Sequence, residues 1–147
     1  MKIIFLGRTG VHQALIAANI YLGRITDGNL RAVEGFGDAN KDVSGFPIFI
    51  GDDENGNQIY ALGVGRDVQL GGKIIRDLVR VLGYSFDDLR VKTIHTKGEA
   101  VTWLLSRLFR STSGKMFCGF LSRYIIRWEF DTIQKDIQEF KSSLNKN

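Results

Sequence analysis

Two hydrophobic periods alternate along this chain, and their order leaves few architectures open. Residues 2–6 (Lys2, Ile3, Ile4, Phe5, Leu6) form a short apolar run with β-branched and aromatic members that ends at Gly7, which reads as a buried strand. After the Gly7-Arg8-Thr9-Gly10 turn, Val11, Leu15, Ala18 and Leu22 recur at helical spacing, with Gly23 in the stop position. A strand that feeds a helix through so short a loop, followed by further strands and helices in alternation, argues for a mostly parallel sheet covered on both faces.

The rest of the chain extends this pattern. Residues 24–46 carry Gly28, Gly35, Gly37 and Gly45 without a sustained period, and read as a long connection with one short helical turn. Residues 46–50 and 58–62 are apolar runs flanking Asp52-Asp53-Glu54-Asn55-Gly56-Asn57, a hairpin with Asn-Gly at its tight turn. Ile74, Leu78 and Leu82 make a helical stripe closed by Gly83, expected to pack on the sheet, with Gly71 and Gly72 in the loop before it. Ser85 to Asp88 has the spacing of a capping box opening a short turn, residues 89–94 alternate as a strand, and His95 stands at its end. Residues 99–109 are helical until Ser111-Thr112-Ser113-Gly114, and Met116-Phe117-Cys118 reads as a brief buried strand. From about residue 122 to 144, Ile125, Trp128, Ile133, Ile137 and Phe140 lie close to one face of an amphipathic helix. The expected architecture is a single α/β domain over residues 1–147, three-layered, mostly parallel with one antiparallel hairpin.

Composition narrows the setting. A chain of 147 residues with a hydrophobic fraction of 44%, 10 Phe and 1 Pro has enough apolar surface for one core. The single cysteine, Cys118, excludes an intramolecular disulfide and a Cys-rich zinc site, and on a buried strand it would behave as an inert small hydrophobe. No segment has the length of a membrane span or the form of a signal peptide, so a cytoplasmic protein without a membrane partner is expected. A formal net charge of +4 permits anionic ligands, but the surplus is too small to indicate a nucleic-acid binder by itself.

Ligands of open α/β sheets gather beyond the carboxyl ends of the strands. The sequence assigns to those ends Gly7, Arg8, Thr9, Gly10 and His12 after the first strand, His95, Thr96 and Lys97 after the fourth, and Gly119, Ser122 and Arg123 after the last. A loop alternating glycine with Arg and Thr can offer backbone N–H groups, a positive helix end and a guanidinium to one anion. Gly7, Arg8, Thr9, Gly10, Lys97, Ser122 and Arg123 are therefore the anion-binding candidates, and His12 and His95 the acid or base candidates if there is turnover. The loop lacks the ending of a P-loop and the third glycine of a dinucleotide fingerprint. Tight turns and close packing explain Gly7 and Gly10 equally well. The acidic group 52–54 is explained by turn geometry, the spacing of His12 and His95 does not form a metal motif, and no metal or cofactor is assigned.

The stretches Met1-Lys2-Ile3-Ile4, Gly10-Val11-His12, Ala17-Ala18, Ile20, Leu22-Gly23 and residues 51–63 together resemble an uncharacterised bacterial family of the Firmicutes, domain of unknown function 3189. The resemblance implies the strand-loop-helix opening, the hairpin and an interest in His12. Members carry Gly-Gly-x-His-Ser-Ser in the first loop. This chain keeps Gly10 and His12 but has Thr9, Gln13 and Ala14 at the other positions, which speaks against a serine-based mechanism. The leading expectation is an α/β protein binding a phosphate-bearing or other anionic small molecule at the strand ends. Its rivals are a protein-interaction module or homodimeric adaptor, and a nucleic-acid binder built on Arg107, Arg110, Lys115, Arg123 and Arg127 with Trp103, Phe109 and Tyr124, which ranks last.

Overall fold

The computed structural model describes residues 1–42, 45–85, 87–108 and 112–144, with 32, 39, 106–108 and 112–119 described by their backbone alone. β1 (Lys2–Gly7) pairs in parallel with both β3 (Gln58–Gly63) and β4 (Leu89–Thr93), while β2 (Ile48–Asp52) runs antiparallel to β3, giving the order β2-β3-β1-β4. The fold is α/β, as the alternation of periods predicts. β1 lies inside the sheet, and its apolar run is buried on both sides. Ile3 and Phe5 join one core, and Leu6, with Ile4 packed against it, joins the other.

The larger core holds α1 (Gln13–Tyr21), in which every residue is buried, between the sheet and the 33-residue α5 (Thr112–Leu144). A helix enclosed on all sides needs small and apolar residues around its whole circumference, and the Ala-rich sequence of α1 supplies them. α5 closes this layer with Ile126, Phe130, Ile133 and Ile137, and Phe140 meets Phe5 edge-on at 5.9 Å. The expected strand at 116–118 is not formed, since its backbone belongs to α5, which starts ten residues before the predicted position. A three-residue apolar run between two helical patterns is absorbed by the helix, where each added residue contributes a backbone hydrogen bond. The side chain of Cys118 lies outside the described residues, and Gly119 belongs to the α5 backbone.

The opposite face carries α3 (Val68–Val81), and here the predicted orientation is reversed. Ile74, Leu78 and Leu82 are more than half exposed, whereas Val68, Gly72 and Val79 are buried. Gly71 and Gly72 lie inside the helix, which Asp67 caps by accepting a hydrogen bond from the Leu70 amide at 3.0 Å. A Cβ on Gly72 would stand 3.0 Å from Thr93 Cγ2 and 3.5 Å from Leu6 Cδ2, so the glycine is what lets the helix backbone approach the sheet. Gly83, at φ +74°, ends the helix as predicted.

The hairpin forms as expected. Its turn is organised by Asp53, whose carboxylate accepts from the Asn55 and Asn57 amides and from Asn57 Nδ2, each at 2.9 Å, and from the Tyr21 hydroxyl at 3.1 Å. Burial alone would raise the Asp53 carboxyl, but these bonds outweigh it and hold the group below its ordinary value. Residues 24–46 contain a 3-10 turn (Leu30–Ala32) and the four-residue α2 (Ala39–Asp42), one turn more than the pattern suggests. Ser85 and Asp87 form a hydrogen-bonded turn before β4, and Phe86 lies outside the described residues.

Candidate functional site

The carboxyl ends of β1, β3 and β4 lie side by side, and their connecting loops are bonded to one another. The Val64 amide donates to Gly7 O and the Gly65 amide to Arg8 O, both at 3.0 Å, and the Ile94 amide donates to Leu6 O at 2.8 Å. Neither Gly7 nor Gly10 has a positive φ. Gly10 is required instead by close approach, because a Cβ there would stand 3.1 Å from the Gly63 amide nitrogen.

Two N–H groups of the first loop point at oxygen atoms of acidic side chains. The Arg8 amide donates to Glu99 Oε1 and the Gly10 amide to Asp42 Oδ1, both at 2.6 Å. Glu99 opens α4 (Glu99–Leu108) beyond β4, and Asp42 ends α2. Burial pushes both carboxyls above their ordinary range. The Arg8 amide and guanidinium oppose the rise at Glu99 while Glu129 adds to it, and the Gly10 amide opposes it at Asp42. Behind them Glu129, on α5, accepts from the Gly98 amide at 2.5 Å and, at the long distance of 3.5 Å, from Gln13 Nε2. Thr102 Oγ1 donates to Gln13 Oε1 at 3.0 Å. Three carboxylates thus surround the strand ends. Sequence reasoning missed all three; Glu99 alone carried a signal, as an acid in the first turn of a helix that follows a strand.

His12 is 1% exposed. Its Nδ1 lies 2.8 Å from Thr9 Oγ1, its ring meets Phe36 edge-on at 5.4 Å, and its Nε2 is buried without a hydrogen-bond partner among the described residues. Burial lowers its pKa to about 4, so the ring is neutral at pH 7. His95 is exposed and lies 2.8 Å through Nε2 from Gln69 Nε2 of α3, on the other face of the sheet. The two imidazoles follow adjacent strands, but His12 is enclosed beside Phe36 whereas His95 is exposed beside α3.

Lys97 is exposed in the β4–α4 loop, and the neighbouring Thr96 Oγ1 is buried without a partner among the described residues. Ser122 and Arg123 do not follow a strand. Both stand on α5, Ser122 fully buried and Arg123 exposed with its guanidinium 5.6 Å from the centre of the Phe36 ring. Arg8, Thr9, Gly10 and His12 are therefore grouped in one loop with Asp42 and Glu99; Arg123 approaches this group only through Phe36, which also meets His12, and His95 stands beside α3. Among the described residues no three His, Cys, Asp or Glu side chains converge as a metal site would require, and no helix is long and apolar enough to cross a membrane.

The model of a family described as a protein of unknown function, DUF3189, matches residues 2–142. The chain belongs to DUF3189. The match takes in all four strands of the sheet, the first loop with Gly10 and His12, and α5 to within two residues of its end, so the DUF3189 fold includes each residue that surrounds the strand ends. Nothing among the curated proteins or the solved structures matches this DUF3189 chain.

Proposed function

We propose that the loop after β1 binds an oxyanion, a phosphate or carboxylate borne by a small molecule, and that the chain's own Asp42 and Glu99 hold its N–H groups until the ligand displaces them. The observation that carries this reading is the pair of 2.6 Å bonds from the Arg8 and Gly10 amides to carboxylate oxygens. A backbone N–H group that accommodates a carboxylate oxygen at this distance has the room and direction that a charge-assisted bond to a ligand oxygen requires. The Arg8 guanidinium adds a fixed positive charge beside Glu99, and Lys97 is exposed in the next loop. Burial raises both resident carboxyls, which makes them easier to neutralise than surface acids and suits them to give way. His12 enters as the group that braces the loop through Thr9; turnover is not part of the proposal.

Calorimetric titration with sulfate tests it, because the charge of sulfate is constant across the pH range used. Binding strengthens as pH is lowered, because the raised Asp42 and Glu99 carboxyls take up protons sooner than surface acids. Glu99→Gln binds more tightly than the parent, and Arg8→Ala binds about tenfold or more weakly, the order expected for one charge-assisted bond. Absence of saturable binding by sulfate and phosphate in both the parent and Glu99→Gln would end the proposal.

A second reading, pairing with another copy of this chain, is favoured by one observation. Leu70, Ile74, Leu78, Val81, Leu82 and Tyr84 lie on or just beyond α3 and are each more than half exposed. Natural monomers rarely leave so many large apolar groups together in water.

A further inference from the structure

Away from the strand ends, α5 and the loop 27–31 enclose a groove of about 490 Å³ lined by Arg31, Phe120, Arg123, Tyr124 and Arg127, with Asp27 also on its wall. Phe120 and Tyr124 are 69% and 56% exposed, and Trp128, one helical turn further on, is 76% exposed. The Tyr124 and Trp128 ring centroids are 6.1 Å apart. Aromatic side chains four residues apart on a helix repeat about every 6 Å along one side. That repeat is within reach of successive bases of an extended single strand, whose faces stack on such rings regardless of sequence. None of the three arginines is in an ion pair among the described residues. Arg123 alone is partly engaged, over the Phe36 ring. Asp27 is turned to its own backbone, accepting from the Asn29 amide at 3.0 Å.

From this arrangement we infer that the groove and the aromatic row beside it form a binding surface for single-stranded nucleic acid. Phe120, Tyr124 and Trp128 stack on bases, and Arg31, Arg123 and Arg127 meet the phosphates. The small overall surplus of positive charge conceals the site, because what matters is that three arginines with no ion pair among the described residues stand beside three exposed rings. A protein partner would also use aromatic and arginine side chains. The charge decides for a polyanion, since the groove lining carries three arginines against one acid, Asp27, one of whose oxygens accepts from the Asn29 amide. The groove meets the oxyanion loop only through Phe36, which touches both Arg123 and His12, and the two proposals are tested by different variants.

Fluorescence anisotropy with labelled 12-nucleotide single strands of RNA and of DNA, at 50 to 200 mM salt, tests the inference. Binding is expected with a slope of log K against log salt near −2, from about 0.7 per phosphate contacted and three contacts. Tyr124→Ala with Trp128→Ala weakens it by about 25-fold or more, at roughly fivefold per stacked base, while Trp128→Phe restores most of the loss. Arg123→Ala with Arg127→Ala flattens the salt slope, and Arg8→Ala changes nothing. These side chains are exposed, so the variants fold, and circular dichroism verifies it. A signal on RNA alone or DNA alone supports the inference and identifies the strand. It is overturned by no binding at 50 mM salt with 100 µM protein as an order of magnitude, by equal affinity for duplex DNA, by indifference to the aromatic substitutions, or by capture on anionic vesicles without any on oligonucleotides.

Discussion

His12 illustrates how burial changes what a side chain can do. With its Nδ1 beside Thr9 Oγ1 and its Nε2 enclosed, it is an ordinary histidine in the unfolded chain and a neutral ring with a pKa of about 4 in the folded one. Between those two values the unfolded state binds more protons, so this group's contribution is complete above about pH 6.5 and is lost as pH falls toward 4. The ceiling is about 3 kcal/mol. Asp42 and Glu99 act in the opposite sense, because burial raises both and the folded state then takes up their protons first. Urea unfolding at pH 7 and pH 5 should show the parent losing about 2 kcal/mol more than His12→Asn over that interval. Parallel losses in the two proteins would mean that His12 does not carry the acid sensitivity. The sequence marked His12 as notable through a motif; that it is a core residue follows from the fold, which encloses it beside Thr9 and Phe36.

Among the elements, the hairpin and the β1 turn were readable because their signals are local. Asn-Gly in a two-strand context and glycine after an apolar run act within a few residues of themselves. The orientation of α3 was not readable, because a periodic stripe shows that a helix is amphipathic without showing what lies opposite it. Here the sheet takes the side with Gly72 and Val79, where the backbone can come close, and leaves Ile74 and Leu78 in water. Gly72→Leu should cost about 2 kcal/mol in urea unfolding even though leucine is the better helix former, since its side chain would overfill the space against Thr93 and Leu6. Unchanged or increased stability would show that the contact is not close-packed.

For the molecule as a whole, the exposed side of α3 next to β4, an edge strand of the sheet, bears on its state of association. Sedimentation equilibrium at micromolar concentration should give a dimer for the parent and a monomer for Ile74→Glu with Leu78→Glu. A monomeric parent at every concentration would remove the second functional reading. The candidate site is likewise a property of the assembled chain. Its two short bonds join residues 91 and 32 positions apart, and the Gly98–Glu129 bond spans 31. No window of local sequence contains both members of any of these pairs. Gly7, Arg8, Thr9 and Gly10 were legible as a strand-end loop because they are contiguous and follow an apolar run. Asp42 and Glu129 carried no sign of their role, since an acid in a loop or on an amphipathic helix is most often simply solvated.

Read alone, the order of amino acids settled the α/β class, the strand-loop-helix opening, the hairpin and the position of the first loop, all of which depend on periodicity and turn chemistry within a dozen neighbours. Long-range packing chose the remainder: the outward side of α3, the enclosure of His12 beside Phe36 while His95 stays exposed, and the meeting of Asp42 and Glu99 with the first loop. Those outcomes depend on which surfaces touch and how closely, and such contacts are made between segments that are remote along the chain.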